Sequence, residues 1–141
     1  MLFRHADKEL SGEEVDHFKY KTLKHLCKEY HRRGWVQQFH LGALRGVNSR
    51  LLRLKGRDLG WDSVGEYPQG RFLDYLDSTD QLAKTILYNL NPADNELMAT
   101  MMGNFNDGSI KGKVQWGSGW RFLDLKDGME KQLNTISIWD C

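Results

Sequence analysis

The sequence has 141 residues and a mass of 16.4 kDa, the size of one ordinary domain. Its 40% hydrophobic and 28% charged residues predict a globular chain rather than a disordered one, and twenty Lys and Arg against nineteen Asp and Glu leave a formal charge of +1, too little positive field for a nucleic-acid or acidic-lipid surface. A mean hydropathy of -0.63 without a long apolar run excludes a membrane-spanning helix. From the charged start with Arg4, Asp7, Lys8 and Glu9 no signal-peptide core is expected, and two cysteines, Cys27 and Cys141, are too few for a disulfide framework or a Cys-based zinc site. The expected location is cytoplasmic, with no nucleic acid and no membrane as partner.

The first predicted element is a helix. Ser11 and Glu14 have capping-box spacing, in which each side chain satisfies an orphan backbone N–H of the other. Val15, Phe18, Thr22, Leu26 and Tyr30 recur at three- and four-residue steps, with Leu23 and Cys27 beside them, and predict one apolar stripe. Arg32 and Arg33 suit the negative end of the helix, and Gly34 suits a left-handed stop. The run from Trp35 to His40 reads as a strand.

The segment from Arg45 to Gly65 reads as an extended loop, followed by a weak helix near Arg71 to Leu76. A second strand is predicted over Lys84 to Leu90. It runs into Asn91-Pro92-Ala93-Asp94, a helix start with Asn as cap and Pro at the first helical position. Leu97, Met98, Met101 and Met102 give that helix its apolar face, and Asn106-Asp107-Gly108 marks a turn. A third strand is predicted over Lys113 to Gly117, and a last helix around Leu125 to Asn134. Alternating helices and strands predict parallel strands joined by crossover helices, an α/β class in one continuous unit over residues 1–141. In such folds chemistry gathers at the carboxyl ends of the strands.

Three segments lie at those ends. His40, followed by Leu41-Gly42-Ala43-Leu44-Arg45, sets an imidazole able to bind a metal or move a proton beside small residues and an arginine able to hold a carboxylate. The competing reading is a hydrogen-bonded structural histidine and a surface arginine. Trp116-Gly117-Ser118-Gly119-Trp120 leaves backbone open for a sugar face or a phosphate, with Trp120 as an apolar wall; alternatively it is a tight turn with packing tryptophans. In Tyr88-Asn89-Leu90-Asn91-Pro92, Asn89 is a site candidate, whereas Asn91 is read as a helix cap. Cys27 is expected in the core, and Lys126 and Asp127 are expected as solvated helix charges.

These segments carry a family resemblance. Trp35 to Arg45, Lys84 to Pro92 with Asp94-Asn95-Glu96, and Gln115 to Trp120 with Lys126-Asp127-Gly128-Met129-Glu130 resemble, in that order, the uronate (glucuronate) isomerases of the amidohydrolase superfamily. The resemblance spans the chain from the first helix to about Thr135. It implies a distorted (β/α)8 TIM barrel, of which this chain would be roughly strands five to seven with their helices. The implied activity is aldose–ketose isomerisation of D-glucuronate to D-fructuronate and of D-galacturonate to D-tagaturonate, in which a proton leaves C2 and is delivered to C1. The implied cofactor is a divalent metal, commonly zinc. By the family pattern His40 ends the fifth strand and faces metal and substrate, Trp120 follows the seventh strand and lines the substrate pocket, and Arg45 and Asn48 lie in the adjoining loop and contact substrate.

The sequence also departs from the pattern. It has no His-x-His, which in the family holds the metal at the first strand, and no Thr-Asp-Ser-Arg segment, which ends the eighth. Arg121 stands where a bulky residue is usual, the Asn-rich stretch after Arg45 is reduced to Gly46-Val47-Asn48, and Ile136 to Cys141 reads as a divergent tail. The expectation is a piece of a larger barrel that by itself neither binds the metal nor turns over. Its partners would be a hexuronate and the remaining barrel or a second copy of the chain. The alternative is a catalytically incompetent remnant that is at most a weak binding piece.

Overall fold

The computed structural model describes residues 10–44, 53, 55–56, 63–64, 70–117 and 124–137. Helix α1 spans Gly12–Arg32 and has the predicted capping box: the Ser11 N–H donates to Glu14 Oε2 at 2.9 Å, and the Glu14 N–H donates to Ser11 Oγ at 3.3 Å. Its end is a Schellman turn. Gly34 takes φ 65°, its N–H donates to the His31 carbonyl, and the Trp35 N–H reaches back to the Tyr30 carbonyl. The Tyr30 and Trp35 rings stack at 5.9 Å and supply the apolar contact that accompanies such stops.

Strand β1, Gln37–Leu41, follows directly and continues through Gly42 (φ 80°) into β2, Ala43–Leu44. A two-residue strand β3, Ser63–Val64, pairs antiparallel with β2. This ribbon was not expected, because two residues give no alternation to detect. Most of the predicted Arg45–Gly65 loop lies outside the described residues. Helix α2 spans Gly70–Asp77, β4 spans Thr85–Asn89, a 3₁₀ turn spans Pro92–Asp94, α3 spans Asn95–Phe105, β5 spans Val114–Trp116, and α4 spans Lys126–Ile136.

The three longer strands form one parallel sheet in the order β1-β4-β5, as the alternation predicts. The register pairs Gln37 with Thr85, Phe39 with Leu87, His40 with Tyr88 and Leu41 with Asn89, and then Thr85 with Val114 and Leu87 with Trp116. Side chains alternate between the two faces. On one face Leu41, Leu87, Val114 and Trp116 join Cys27 of α1, Leu73 and Leu76 of α2, and Met98, Ala99 and Met102 of α3 in a single apolar core, with Ile136 of α4 packed at its edge. On the other face Gln38, His40 and Gln115 are exposed and Ile86 and Tyr88 half-buried, with no described helix over them.

The predicted stripe of α1 is covered only in part: Cys27 is in the core and Val15 and Tyr30 are half-buried. Phe18, Leu23 and Leu26 each remain about two-fifths exposed, at 39%. The helix packs on α2 through Lys24, Cys27 and Lys28, with the Lys24 ammonium 4.1 Å from the Tyr75 ring centre, while the exposed Tyr20 ring meets Phe72 edge-on at 6.0 Å. Lysine stems cover apolar surface as effectively as they reach water, so this line competes with the more hydrophobic one. Cys27 lies in the core as expected.

Candidate functional site

The carboxyl ends of the three strands carry different groups on the two faces. On the helix face Asn89 is fully buried and completely engaged. Its Oδ1 accepts from Trp116 Nε1 at 2.6 Å, and its Nδ2 donates to the Asn91 carbonyl at 2.8 Å and to Asn95 Oδ1 at 3.0 Å. This network ties β4, the turn after it, α3 and β5 together at one point. Gln132 of α4 closes the same end by donating to the carbonyls of Trp116 and Gly117. Asn91 caps the 3₁₀ turn through a bond from the Ala93 N–H at 3.1 Å.

On the open face, His40 of β1 stacks on Tyr88 of β4, with ring centres 4.6 Å apart and planes 22° from parallel. The Tyr88 hydroxyl donates to Gln38 Oε1 at 3.1 Å, two residues back along β1. On its other side the ring lies against Gly117, where a Cβ would overlap Tyr88 Cε1 and stand 2.8 Å from Cδ1 and Cζ. Such contacts are far inside van der Waals distance.

The site residues expected from the sequence are therefore distributed as follows. His40 is the penultimate residue of β1, on the exposed face. Arg45, Asn48 and Trp120 lie outside the described residues. Asn89 is a structural lock rather than a group aimed at a ligand, because all of its polar atoms are taken up inside the protein and burial demands that they be. The openness expected at Gly117 is filled by Tyr88. Asn91 is the cap it was read to be, and Lys126 is an exposed helix charge paired loosely with Glu130 at 3.7 Å. Gln38 and Tyr88 were within the quoted motifs but carried no assigned role. Strand alternation places Gln38 with His40 on one face, a signal present in the sequence, but the pairing with Tyr88 depends on a register set 48 residues away.

The opposite, amino end of the sheet is built for stability. Lys113 precedes β5 and is mostly buried, with its Nζ 2.7 Å from Asp77 and 2.9 Å from Asp107. Burial works to lower the basicity of this ammonium, but hydrogen bonds to the two carboxylates outweigh it and hold the pKa above the ordinary lysine value. Among the described residues, no three His, Cys, Asp or Glu side chains come together as a metal-ligating group. The described ligand set thus does not by itself fit a metal ion, and His40 offers one imidazole.

Parallel strands, helices that among the described residues pack on one face, and a polar row at the carboxyl edge define a segment of a parallel α/β fold. The chain belongs to the glucuronate isomerase family, whose sequence model matches residues 2–140. It is similar to the uronate isomerase of Flavobacterium johnsoniae, at 62% identity over 132 residues, covering 91% of this chain and 28% of that protein. It is similar also to the uronate isomerase of Bacteroides fragilis, at 55% identity over 134 residues, covering 92% of this chain and 29% of that protein. The crystal structure of uronate isomerase from Thermotoga maritima superposes with a TM-score of 0.80 at 26% identity, over 96% of this chain and 29% of that one. The chain thus spans less than a third of the length of the relatives it matches. No helix among the described residues is long and apolar enough to cross a membrane.

Proposed function

We propose that this chain supplies strands five to seven of a uronate isomerase (β/α)8 barrel, and that the completed barrel interconverts D-glucuronate with D-fructuronate and D-galacturonate with D-tagaturonate. The observation that carries this reading is the one-sided sheet. Among the described residues, helices pack on the Leu87 and Trp116 face, and none packs on the face bearing Gln38, His40 and Tyr88. A doubly wound sheet carries helices on both faces, whereas a barrel keeps them outside and fills its interior with side chains. On this reading the His40 face is the barrel interior, and the carboxyl edge is the substrate side.

The reaction is redox-neutral within one molecule: one proton moves from C2 to C1 and one from the C2 hydroxyl to the C1 oxygen, so C2 becomes the carbonyl carbon and C1 an alcohol. His40, Arg45, Asn48 and Trp120 are the proposed substrate contacts of this chain. Arg45 would hold the uronate carboxylate through paired N–H donors, Asn48 would bond to hydroxyls, and Trp120 would cover an apolar sugar face. His40, at the exposed end of β1, would bond to oxygens near the reacting carbons. A divalent metal, zinc in the family, polarises substrate oxygens when bound. We assign its ligand set to barrel parts outside this chain, and the chain alone is proposed to be inactive. Eight strands are needed to close such a barrel, and β1 and β5 are each paired on one side only among the described residues.

Mixing the chain with a complementary fragment that supplies the other strands, then following glucuronate conversion, tests the reading. Turnover that depends on both pieces and is lost with His40→Ala is expected. A mixture that assembles but does not turn over, or one unaffected by His40→Ala, rejects it.

A further inference from the structure

We propose that Tyr88 is a positioning residue that fixes the plane of the His40 imidazole, held in place by Gln38 at one end and by the missing Cβ of Gly117 at the other. The inference rests on the assignment of His40 as substrate-facing. The torsion that sets an imidazole plane is intrinsically broad, so an exposed histidine on a strand samples many orientations unless something restrains it. Here one restraint is a ring on the neighbouring strand, at the same register level, 4.6 Å away and within 22° of parallel. Tyr88 is in turn fixed. Its hydroxyl donates to Gln38 Oε1 at 3.1 Å, and the flank away from His40 is filled by the backbone of Gly117, where no larger residue fits. The four residues form one row across all three strands: Gln38 and His40 from β1, Tyr88 from β4 and Gly117 immediately after β5. Nothing in this row serves the apolar core, which lies on the opposite face. A misplacement of about 1 Å at a reacting group costs up to about 100-fold in rate, so a device that sets one ring plane has a kinetic consequence.

The prediction separates positioning from bulk packing. Histidine ring resonances of the 141-residue chain, with His40 assigned through His40→Ala, are compared in Tyr88→Phe, Tyr88→Leu and Gly117→Ala. Tyr88→Phe keeps the stack and leaves the His40 ring signals close to their original positions. Tyr88→Leu removes the ring current and shifts them downfield. Gly117→Ala retains the tyrosine but displaces it, and moves the His40 ring signals. In the reconstituted barrel, Tyr88→Leu and Gly117→Ala lower kcat about tenfold with KM changed by less than about twofold, and Tyr88→Phe restores most of the loss. Unmoved His40 signals in Gly117→Ala, or an unchanged kcat in Tyr88→Leu, overturn the proposal. Absence of turnover in the unmodified reconstituted barrel counts against the isomerase reading instead, and the ring resonances still decide whether Tyr88 orients His40.

Discussion

The indole N–H of Trp116 donates to Asn89 Oδ1 at 2.6 Å, so the last residue of β5 is bonded to the last residue of β4 beneath the carboxyl edge of the sheet. Both side chains are buried, and the remaining polar hydrogens of Asn89 go to the Asn91 carbonyl and to Asn95. The strand ends that carry Tyr88 and Gly117 on the open face are thereby anchored from behind.

Asn89→Ala is expected to leave the Trp116 indole N–H, the Asn95 carboxamide oxygen and the Asn91 carbonyl without this partner in a buried setting. Each stranded group costs about 1–3 kcal/mol, so a loss of about 3 kcal/mol or more in unfolding free energy is expected by urea titration. Asn89→Asp is no remedy, because a carboxylate cannot donate to the two acceptors. A loss below about 1 kcal/mol for Asn89→Ala would show that the network is not a lock.

Local hydrogen-bond chemistry made several features legible in advance. Ser11 with Glu14, Gly34 and Asn91 each act within a few residues of themselves, and each was found as read. The three strands were also legible, because Ile86, Leu87 and Val114 lie in short runs rich in strand formers. What depended on tertiary context was not. How much of each α1 residue is covered depends on Phe72 and Tyr75 of α2, so Lys24 and Lys28 are half-buried beside Cys27 while the more apolar Phe18 and Leu26 stay partly exposed. The glycine at 117 was readable as open backbone, but only the register of β4 against β5 shows that a tyrosine takes the space. Arg45, Asn48 and Trp120 remain assignments by family resemblance.

Thr85 and Gln37 make a second buried pair with an asymmetric prediction. Thr85 Oγ1 accepts from Gln37 Nε2 at 2.8 Å and donates to the Ala83 carbonyl at 2.7 Å, while Gln37 Oε1 has no hydrogen-bond partner among the described residues. Thr85→Val strands two groups and is expected to cost about 1–3 kcal/mol. Gln37→Met removes one bond and also removes a desolvated carbonyl, and is expected to lie within about 1 kcal/mol of the parent. Equal losses for the two variants in urea titrations would show that Gln37 Oε1 is satisfied in solution.

The Lys113 cluster predicts how stability depends on pH. Hydrogen bonds from Ser109, and then from Lys113, hold Asp107 well below the usual carboxylate range. A carboxylate whose folded pKa is depressed contributes stability above its unfolded value of about 3.9, and loses it as pH falls through the folded value. Lys113, held above the ordinary lysine value, contributes fully below about 10.4 and loses its contribution as pH rises through the folded value. Lys113→Met should therefore lower the urea midpoint at about pH 7 and reduce its fall on going to about pH 3, without abolishing that fall because the Ser109 bonds persist. Parallel acid limbs in parent and variant would count against a role for Lys113.

Cys27 gives a chemical readout of the core. Burial pushes its thiol up to about 11, against about 8.5 for an unfolded cysteine, and its accessible surface is 0%. Because the folded value is raised, stability is fully present below about pH 8.5 and declines as pH rises toward 11, the same direction as for Lys113. At about pH 8.5 a free cysteine is about half thiolate, whereas a thiol shifted by more than two units is under about 1% ionised. Alkylation of Cys27 in the native chain should then be at least about 100-fold slower than in urea, once Cys141 is replaced by Ser, and its rate should follow the opening of the α1–α2 core. Cys27→Ser places a hydroxyl in that apolar cluster and should cost about 1–3 kcal/mol, more than Cys27→Ala. Rapid alkylation in the native chain, at a rate independent of denaturant, would mean that α1 does not stay docked against Leu73 and Leu76.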